Sequence, residues 1–210
     1  MDIYLASNNQ NKIKELQDLF KYHNLEATIY HPSKIGGMPE VNEIESTFKG
    51  NALLKAQALK SAAPANSLVI ADDSGLEIHA LNNAPGIHSA RYAGPNATDL
   101  DNIQKALNEL KGTSEESRSA HFTCCICLID NKNQSQFFTG TCNGHITTGL
   151  SGTTGFGYDP LFIPDGYNQT FAQLGPDTKN KISHRSLALE QLITFLKLNN
   201  KTDQPNPINF

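Results

Sequence analysis

Leu68-Val69-Ile70-Ala71-Asp72-Asp73-Ser74-Gly75 decides how the chain is read. Four consecutive apolar residues describe a buried strand, and the carboxylates that follow mark its expected end, with Ser74-Gly75 making a tight turn. Upstream, Ser46 to Ser61 has helical spacing, with Phe48, Ala52, Ala56 and Leu59 along one face. Before it come a strand from Leu25 to Tyr30 and a loop holding Pro32, Gly36, Gly37 and Pro39. Earlier still, Ile13, Leu16, Leu19 and Phe20 predict a helix after a strand from Ile3 to Ala6. Downstream, Thr98 reads as the N-cap of a third helix, with Asp101 three residues on and Leu100, Ile103, Leu107 and Leu110 as its inner stripe. Residues 121–130 and 135–145 flank Asn131-Lys132-Asn133-Gln134 and predict a long antiparallel hairpin. A last helix is expected to begin near Ser183 to Ser186, facing inward with Leu189, Leu192, Ile193 and Leu196. Strands alternating with helices make this an α/β protein with a mixed sheet, one continuous domain over 1–198, and a polar tail over 199–210.

Composition narrows the function classes. A chain of 210 residues buries a substantial core without disulfides or a structural metal. Hydrophobic content of 38% and charged content of 18% exclude a disordered chain and a membrane protein. The apolar run Cys124 to Ile129 is too short to span a bilayer, and Met1-Asp2-Ile3-Tyr4-Leu5 lacks the basic start of a secretory signal. A net charge of −4 argues against a broad nucleic-acid surface, so neither nucleic acid nor membrane is an expected partner. Cys124, Cys125 and Cys127 invite a zinc reading with His121, but adjacent strand residues point to opposite faces and cannot converge on one ion. These and Cys142 read as small core residues, and free thiols fit a reducing cytoplasm.

Three polar clusters fall at strand–helix junctions, where α/β folds bind ligands. In Ser7-Asn8-Asn9-Gln10-Asn11-Lys12, free N–H groups, a hydroxyl and a lysine suit a phosphate, although an ordinary polar N-cap loop has the same composition. Asp72 and Asp73, with Glu43 before the second helix, are costly to desolvate without a positive partner. Mg²⁺ would be one, taking one or two carboxylates and substrate phosphate oxygens; a turn with solvated acids is the alternative. Lys179, Lys181, His184 and Arg185 oppose the dipole of the last helix, with Lys55 and Arg91 as further cations. An anionic ligand would relieve that conflict, and a solvated basic face is the other reading. In Gly155-Phe156-Gly157-Tyr158-Asp159-Pro160, the glycines let backbone approach a planar ligand and Phe156 can stack on it, unless the segment is a turn around a buried aromatic. Asp159 can accept from ring N–H or ribose hydroxyl groups. Together these clusters point to a nucleoside triphosphate.

With these motifs assembled, the chain resembles the inosine triphosphate pyrophosphatase family, which acts on non-standard purine nucleotides. The resemblance runs from Leu5 to about Leu196. It rests on Leu5-Ala6-Ser7-Asn8-Asn9 with Lys12, Thr47-Phe48 with Asn51-Ala52 and Lys55, and Ala71-Asp72-Asp73-Ser74-Gly75-Leu76. Further matches are Ala84-Pro85-Gly86-Ile87, Ser89-Ala90-Arg91-Tyr92-Ala93-Gly94, Gly155 to Pro160, and Lys179 with Ser183-His184-Arg185. It implies an elongated mixed sheet in two lobes around a central cleft. It implies cleavage of ITP, dITP or XTP to a monophosphate and pyrophosphate, and a homodimer. Ser7, Asn8, Asn9, Gln10, Asn11, Lys12 and Lys55 would bind the triphosphate, with Ser74 and Arg91 also on the substrate. Glu43 and Asp73 would hold Mg²⁺, with Asp72 supporting them or sharing the ion, and Asp73 would be the general base. Phe156, Gly157, Tyr158, Asp159, Lys179, His184 and Arg185 would form the base pocket. Departures from the family pattern are Gly50 where Glu is frequent, Asn83 for Gly and His88 for Tyr. The alternative from the binding class is a catalytically weak purine-nucleotide sensor.

Overall fold

The computed structural model describes residues 1–202, with side chains as far as Asn199; of the expected tail, residues 203–210 lie outside the described residues. β1 (Asp2–Leu5) leads into α1 (Gln10–Tyr22), which buries the expected stripe Ile13, Leu16, Leu19 and Phe20. β2 is only Thr28–Tyr30, shorter than the strand expected from Leu25 to Tyr30. α2 (Phe48–Lys60) is capped by the Thr47 hydroxyl and buries Asn51, Ala52, Ala56 and Leu59. Phe48, expected on that inner face, is only half-buried.

The strand opened by Leu68 does not stop at the acids. β3 spans Leu68–Ile78 and stays in register with β5 (Ser119–Ile129) through Asp72↔Ile126, Asp73↔Cys125, Ser74↔Cys124 and Gly75↔Thr123. The expected turn at Ser74-Gly75 is therefore replaced by continuous ladder. Backbone pairing is indifferent to side-chain charge, and the two carboxylates find cations on opposite faces of the sheet.

β4 (Ala84–Pro85), α3 (Asp99–Glu109), β6 (Ser135–Ile146), β7 (Phe162–Pro164), α4 (Phe171–Ile182) and α5 (His184–Thr202) complete the element order. The seven-stranded sheet runs β2-β1-β3-β5-β6-β7, with β4 added to β3. β1 pairs parallel with β2 and β3, and all other pairs are antiparallel. The hairpin of β5 and β6 appears where the sequence predicts it. Neither α4 nor β7 is anticipated: β7 is only three residues long, and Gly175-Pro176 interrupts the helical pattern of α4, where Gly175 has φ +77° and kinks the helix.

Thr98 and Asp101 form the expected capping box of α3. Its inner face, however, is Asn102, Ile103, Ala106 and the following Leu110, while Leu100 is 61% exposed. At the first turn the helix is rotated one position from the expected stripe. The cause is Asn102, whose amide donates to Ala90 O and whose oxygen accepts from Ala93 N, tying the helix to the loop that carries Arg91.

Three apolar cores fix the layers. Ile3, Ile70, Ile126 and Leu128 pack with α1 and α5 on one face, and Val69, Ala71, Cys127 and Ile129 pack with α2 on the other. Leu76, Ile78, Phe122, Phe162 and Phe171 build a second lobe against α3. β3, β5 and β6 run through both lobes. β1 accompanies β3 only to Ile70, and β4 joins it only at Glu77. Among the described residues no strand covers that edge of β3 in between, and there the cleft opens. All four cysteines are buried and free, split between faces as strand alternation requires. Among the described residues, no helix is long and apolar enough to cross a membrane.

Candidate active site

The loop after β1 is built by its own side chains. Asn9 caps α1 by accepting from Asn11 N (3.0 Å) and Lys12 N (3.1 Å), and Ser7 Oγ accepts from Asn9 N. Capping places Lys12 in the first turn, with its ammonium 3.0 Å from Asp72. Ser7, Asn8, Asn9 and Lys12 line the cleft. Helical rotation carries the next two side chains away: Gln10 meets His31 at 3.3 Å, and Asn11 lines a neighbouring groove with Asp18 and Pro176. Neither of these two expected phosphate ligands joins the others.

The cleft has two chambers sharing Asn9, Lys12, Ser74 and Ala90. In the outer one, of about 550 Å³, Lys55 Nζ lies 2.8 Å from Asp73 Oδ1 and 3.2 Å from Glu43 Oε1. Arg91 donates to the other Glu43 oxygen at 3.1 Å, and the Asn51 amide to Asp73 Oδ2 at 3.4 Å. Burial pushes the Asp73 carboxyl up, and the opposing pull of Lys55 and Lys12 does not bring it back to its ordinary value. For Glu43 burial also acts upward, but Lys55 and Arg91 outweigh it and the net direction is down.

Glu43 and Asp73 thus already aim hard oxygen donors at one cation, which fits Mg²⁺. Asp72 does not join them. Strand alternation turns it to the α1 and α5 side, where Lys12 and Arg185 Nη2 (3.3 Å) hold its Oδ2. It is fully buried, yet those cations drive its carboxyl far below the usual range. Asp72 Oδ1 has no partner there. Among the described residues no three His, Cys, Asp or Glu side chains form a metal-ligating group, so of the two roles the resemblance allows Asp72, supporting the other acids or sharing the ion, the shared set is not assembled. At Gly50 a Cβ would stand 2.6 Å from the Glu45 Cβ; the missing side chain makes room for Glu45 to lie across the start of α2.

The inner chamber, of about 90 Å³, is walled by Phe156, Gly157, Tyr158 and Asp159 on one side and Lys179, His184 and Arg185 on the other. Asp159 Oδ2 accepts from Phe156 N and from Lys179 Nζ (2.7 Å), folding the turn onto the lysine. Gly155 is obligatory, since φ is +79° and a Cβ would strike Asp159 Oδ2 at 2.1 Å. Asp99 accepts from Gly157 N at 2.7 Å. Tyr158 is buried, and its hydroxyl donates to Ser89 O. Lys179 Nζ stands 4.6 Å from the Phe156 ring centre, leaving that ring as an apolar wall. His184 stacks on Phe122 at 4.7 Å with Nδ1 unpartnered; burial first, then the Arg185 and Lys179 charges, push its pKa well below the ordinary value. Lys181, singled out with this cluster, lines neither chamber.

Sequence reasoning missed Glu15, which organises this wall. It pairs with Arg185 and, at 3.1 Å, with Lys179. Burial pushes its carboxyl up, but the two cations more than offset this and hold it below its ordinary value. Its three-residue spacing from Lys12 puts both on one face of α1 and was the available signal. Asn51 and Asp99 were likewise not assigned roles. Of five N–H donors on Arg185, Nε and one on Nη2 go to Asp72, one on Nη1 to Glu15 and one on Nη2 to Ser74 Oγ. One N–H on Nη1 is left without a partner among the described residues.

Cation-bridged carboxylates next to an aromatic-walled chamber define an α/β protein built for a ligand that is both polyanionic and planar. Residues 3–195 match the Ham1 family, and the chain belongs to it. A dITP/XTP pyrophosphatase of Treponema denticola is 46% identical over 201 residues, covering 94% of this chain and 99% of the relative. The structure of the Staphylococcus aureus Ham1 protein superposes with a TM-score of 0.83 at 42% identity, over 95% of this chain and all of that one. A HAM1 protein from Coxiella burnetii gives the same TM-score at 41% identity, over 94% of this chain and 98% of its own.

Proposed function

We propose that the protein hydrolyses ITP, dITP and XTP to the nucleoside monophosphate and pyrophosphate, cleansing the nucleotide pool. The observation that carries this reading is the convergence of Glu43 and Asp73 on the Lys55 ammonium, in the chamber that adjoins the one walled by Phe156. Relatives bearing the name dITP/XTP pyrophosphatase support it. Mg²⁺ held by Glu43 and Asp73 would neutralise phosphate charge and stabilise charge developing on the leaving pyrophosphate. Lys12 and Lys55 bind phosphate oxygens, with the Ser7–Asn9 loop lining the cleft beside them. Asp73 orients a water and takes its proton as the water attacks the α-phosphorus in line. Phe156 stacks on the base. The remaining Arg185 N–H donates to an oxygen at C6, which hypoxanthine and xanthine present and adenine does not; an unmade buried hydrogen bond discriminates strongly.

The working form is a homodimer in the cytoplasm, as the resemblance and the four free thiols support. A product assay tests the reading. Pyrophosphate release from ITP, dITP and XTP, faster than from ATP or GTP, dependent on Mg²⁺ and lost in Asp73→Asn, is expected. Release of orthophosphate, or equal rates on ATP, contradicts it. Nucleotide binding without turnover would instead favour the sensor.

A further inference from the structure

The outer face of the second lobe carries a row of side chains that the cleft does not use. Glu77, near the end of β3, stands opposite His121 of β5, on the sheet face turned away from Leu76 and Phe122. His79 follows just beyond the strand. Ser119 Oγ is 2.9 Å from His79 Nδ1, and His79 Nε2 is 3.2 Å from His121 Nδ1. His121 Nε2 is 3.0 Å from Glu77, whose carboxylate also accepts from Thr123 at 2.6 Å. His79 and Ser119 are exposed, and His121 and Glu77 are about one-fifth exposed, so the row is open to solvent.

Two imidazoles meeting nitrogen to nitrogen, with the outer nitrogen of each held by a carboxylate or hydroxyl, match the way metal-binding histidines are supported. The outer partner fixes ring orientation and tautomer and raises the basicity of the inner nitrogen. Two nitrogens on a tetrahedral ion, each at about 2.0–2.1 Å, lie about 3.3 Å apart. The pair here is at 3.2 Å.

We infer that His79 Nε2 and His121 Nδ1 form a site for a transition-metal dication of the zinc, nickel or copper class, with water in the remaining positions. Imidazole donors select such ions over Mg²⁺, which prefers oxygen, so the site is separate in chemistry as well as place from Glu43 and Asp73. Without metal, one proton bridges the two inner nitrogens. When the ion binds the neutral pair, that proton moves to His79 Nδ1 and Ser119 turns to accept it, so none is lost. The cysteines are poor competitors, being buried on strands, with the thiols of Cys127 and Cys142 pushed up to about 12 by burial.

Calorimetric titration of the full chain with Zn²⁺, in millimolar Mg²⁺ to saturate oxygen sites, tests the inference. One zinc per chain is expected, with binding lost in His79→Gln and in His121→Gln and kept in His31→Ala. Nucleotide turnover equal to wild type shows that the glutamine variants are folded. No zinc uptake by the wild type, or uptake unchanged in both glutamine variants, overturns the inference. In wild-type protein, substoichiometric Cu²⁺ is expected to broaden the ring signals of His79 and His121 before those of other histidines; the reverse order also overturns it.

Discussion

Replacing Gly140 by alanine tests how the fold delivers its cations to the cleft. Gly140 lies on β6 beneath the first turn of α5, the turn that begins with His184 and Arg185. A Cβ built there would stand 2.1 Å from His184 O, 2.5 Å from Ala188 N and 2.9 Å from Leu187 Cβ. Two of these neighbours are backbone atoms, which no rotamer change can move. Reaching an ordinary contact of about 3.4 Å requires the helix start to lift by roughly 1.3 Å. Overpacking of this kind costs about 1–3 kcal/mol. A misplacement of about 1 Å in groups that position a substrate costs on the order of 100-fold in rate. Gly140→Ala is therefore expected to lower the urea-unfolding free energy by about 1–3 kcal/mol and kcat/KM on ITP by about 100-fold. Gly149, where a Cβ meets nothing within 4 Å, is the control; its alanine variant should stay within about 0.5 kcal/mol of wild type. Full stability and activity in Gly140→Ala would refute the claim that close packing on β6 sets the position of Arg185.

His184 should make stability depend on pH. Below about pH 6.5 the unfolded chain binds a proton at this ring and the folded protein does not, so stability falls by up to about 1.4 kcal/mol per pH unit on acidification, until the depressed folded pKa is reached. Urea melts of wild type and His184→Gln between pH 7 and 5 should show that slope only in the wild type. Glu15→Gln removes the acid between Arg185 and Lys179 and is expected to destabilise by about 3–5 kcal/mol, as breaking a buried pair does, measured by the same melts. Asp73→Asn should lower kcat on ITP by about 100- to 10,000-fold while nucleotide still binds, as followed by calorimetry. Ile103→Ala should cost about 2–5 kcal/mol and Leu100→Ser less than about 0.5, a contrast that thermal melts resolve and that the predicted helix stripe would not give.

Local order was legible wherever a single periodicity governs it. The α1 stripe, the Thr98–Asp101 capping box and the β5–β6 hairpin all follow from spacing and turn chemistry within a few residues. The continuation of β3 through Asp72 and Asp73 was not, because a carboxylate looks like the end of a buried strand until its cations are in place. Those cations come from α1, α2 and α5, and only tertiary structure brings them together. The same holds for Glu15, which reads as a surface acid on an amphipathic helix until Lys179 and Arg185 close over it. Gln10 and Asn11 show the opposite failure. Composition groups them with Asn9 and Lys12, but the helix that Asn9 caps rotates them away from the cleft.

Hydrolysis of ITP in ¹⁸O-labelled water, with mass analysis of both products, tests the central claim most directly. Water oriented by Asp73 at the α-phosphorus places the heavy oxygen in the inosine monophosphate and leaves pyrophosphate unlabelled. Label found in the pyrophosphate would put the attack on the β-phosphorus and contradict the assignment of Glu43, Lys55 and Asp73 to the α-phosphoryl centre.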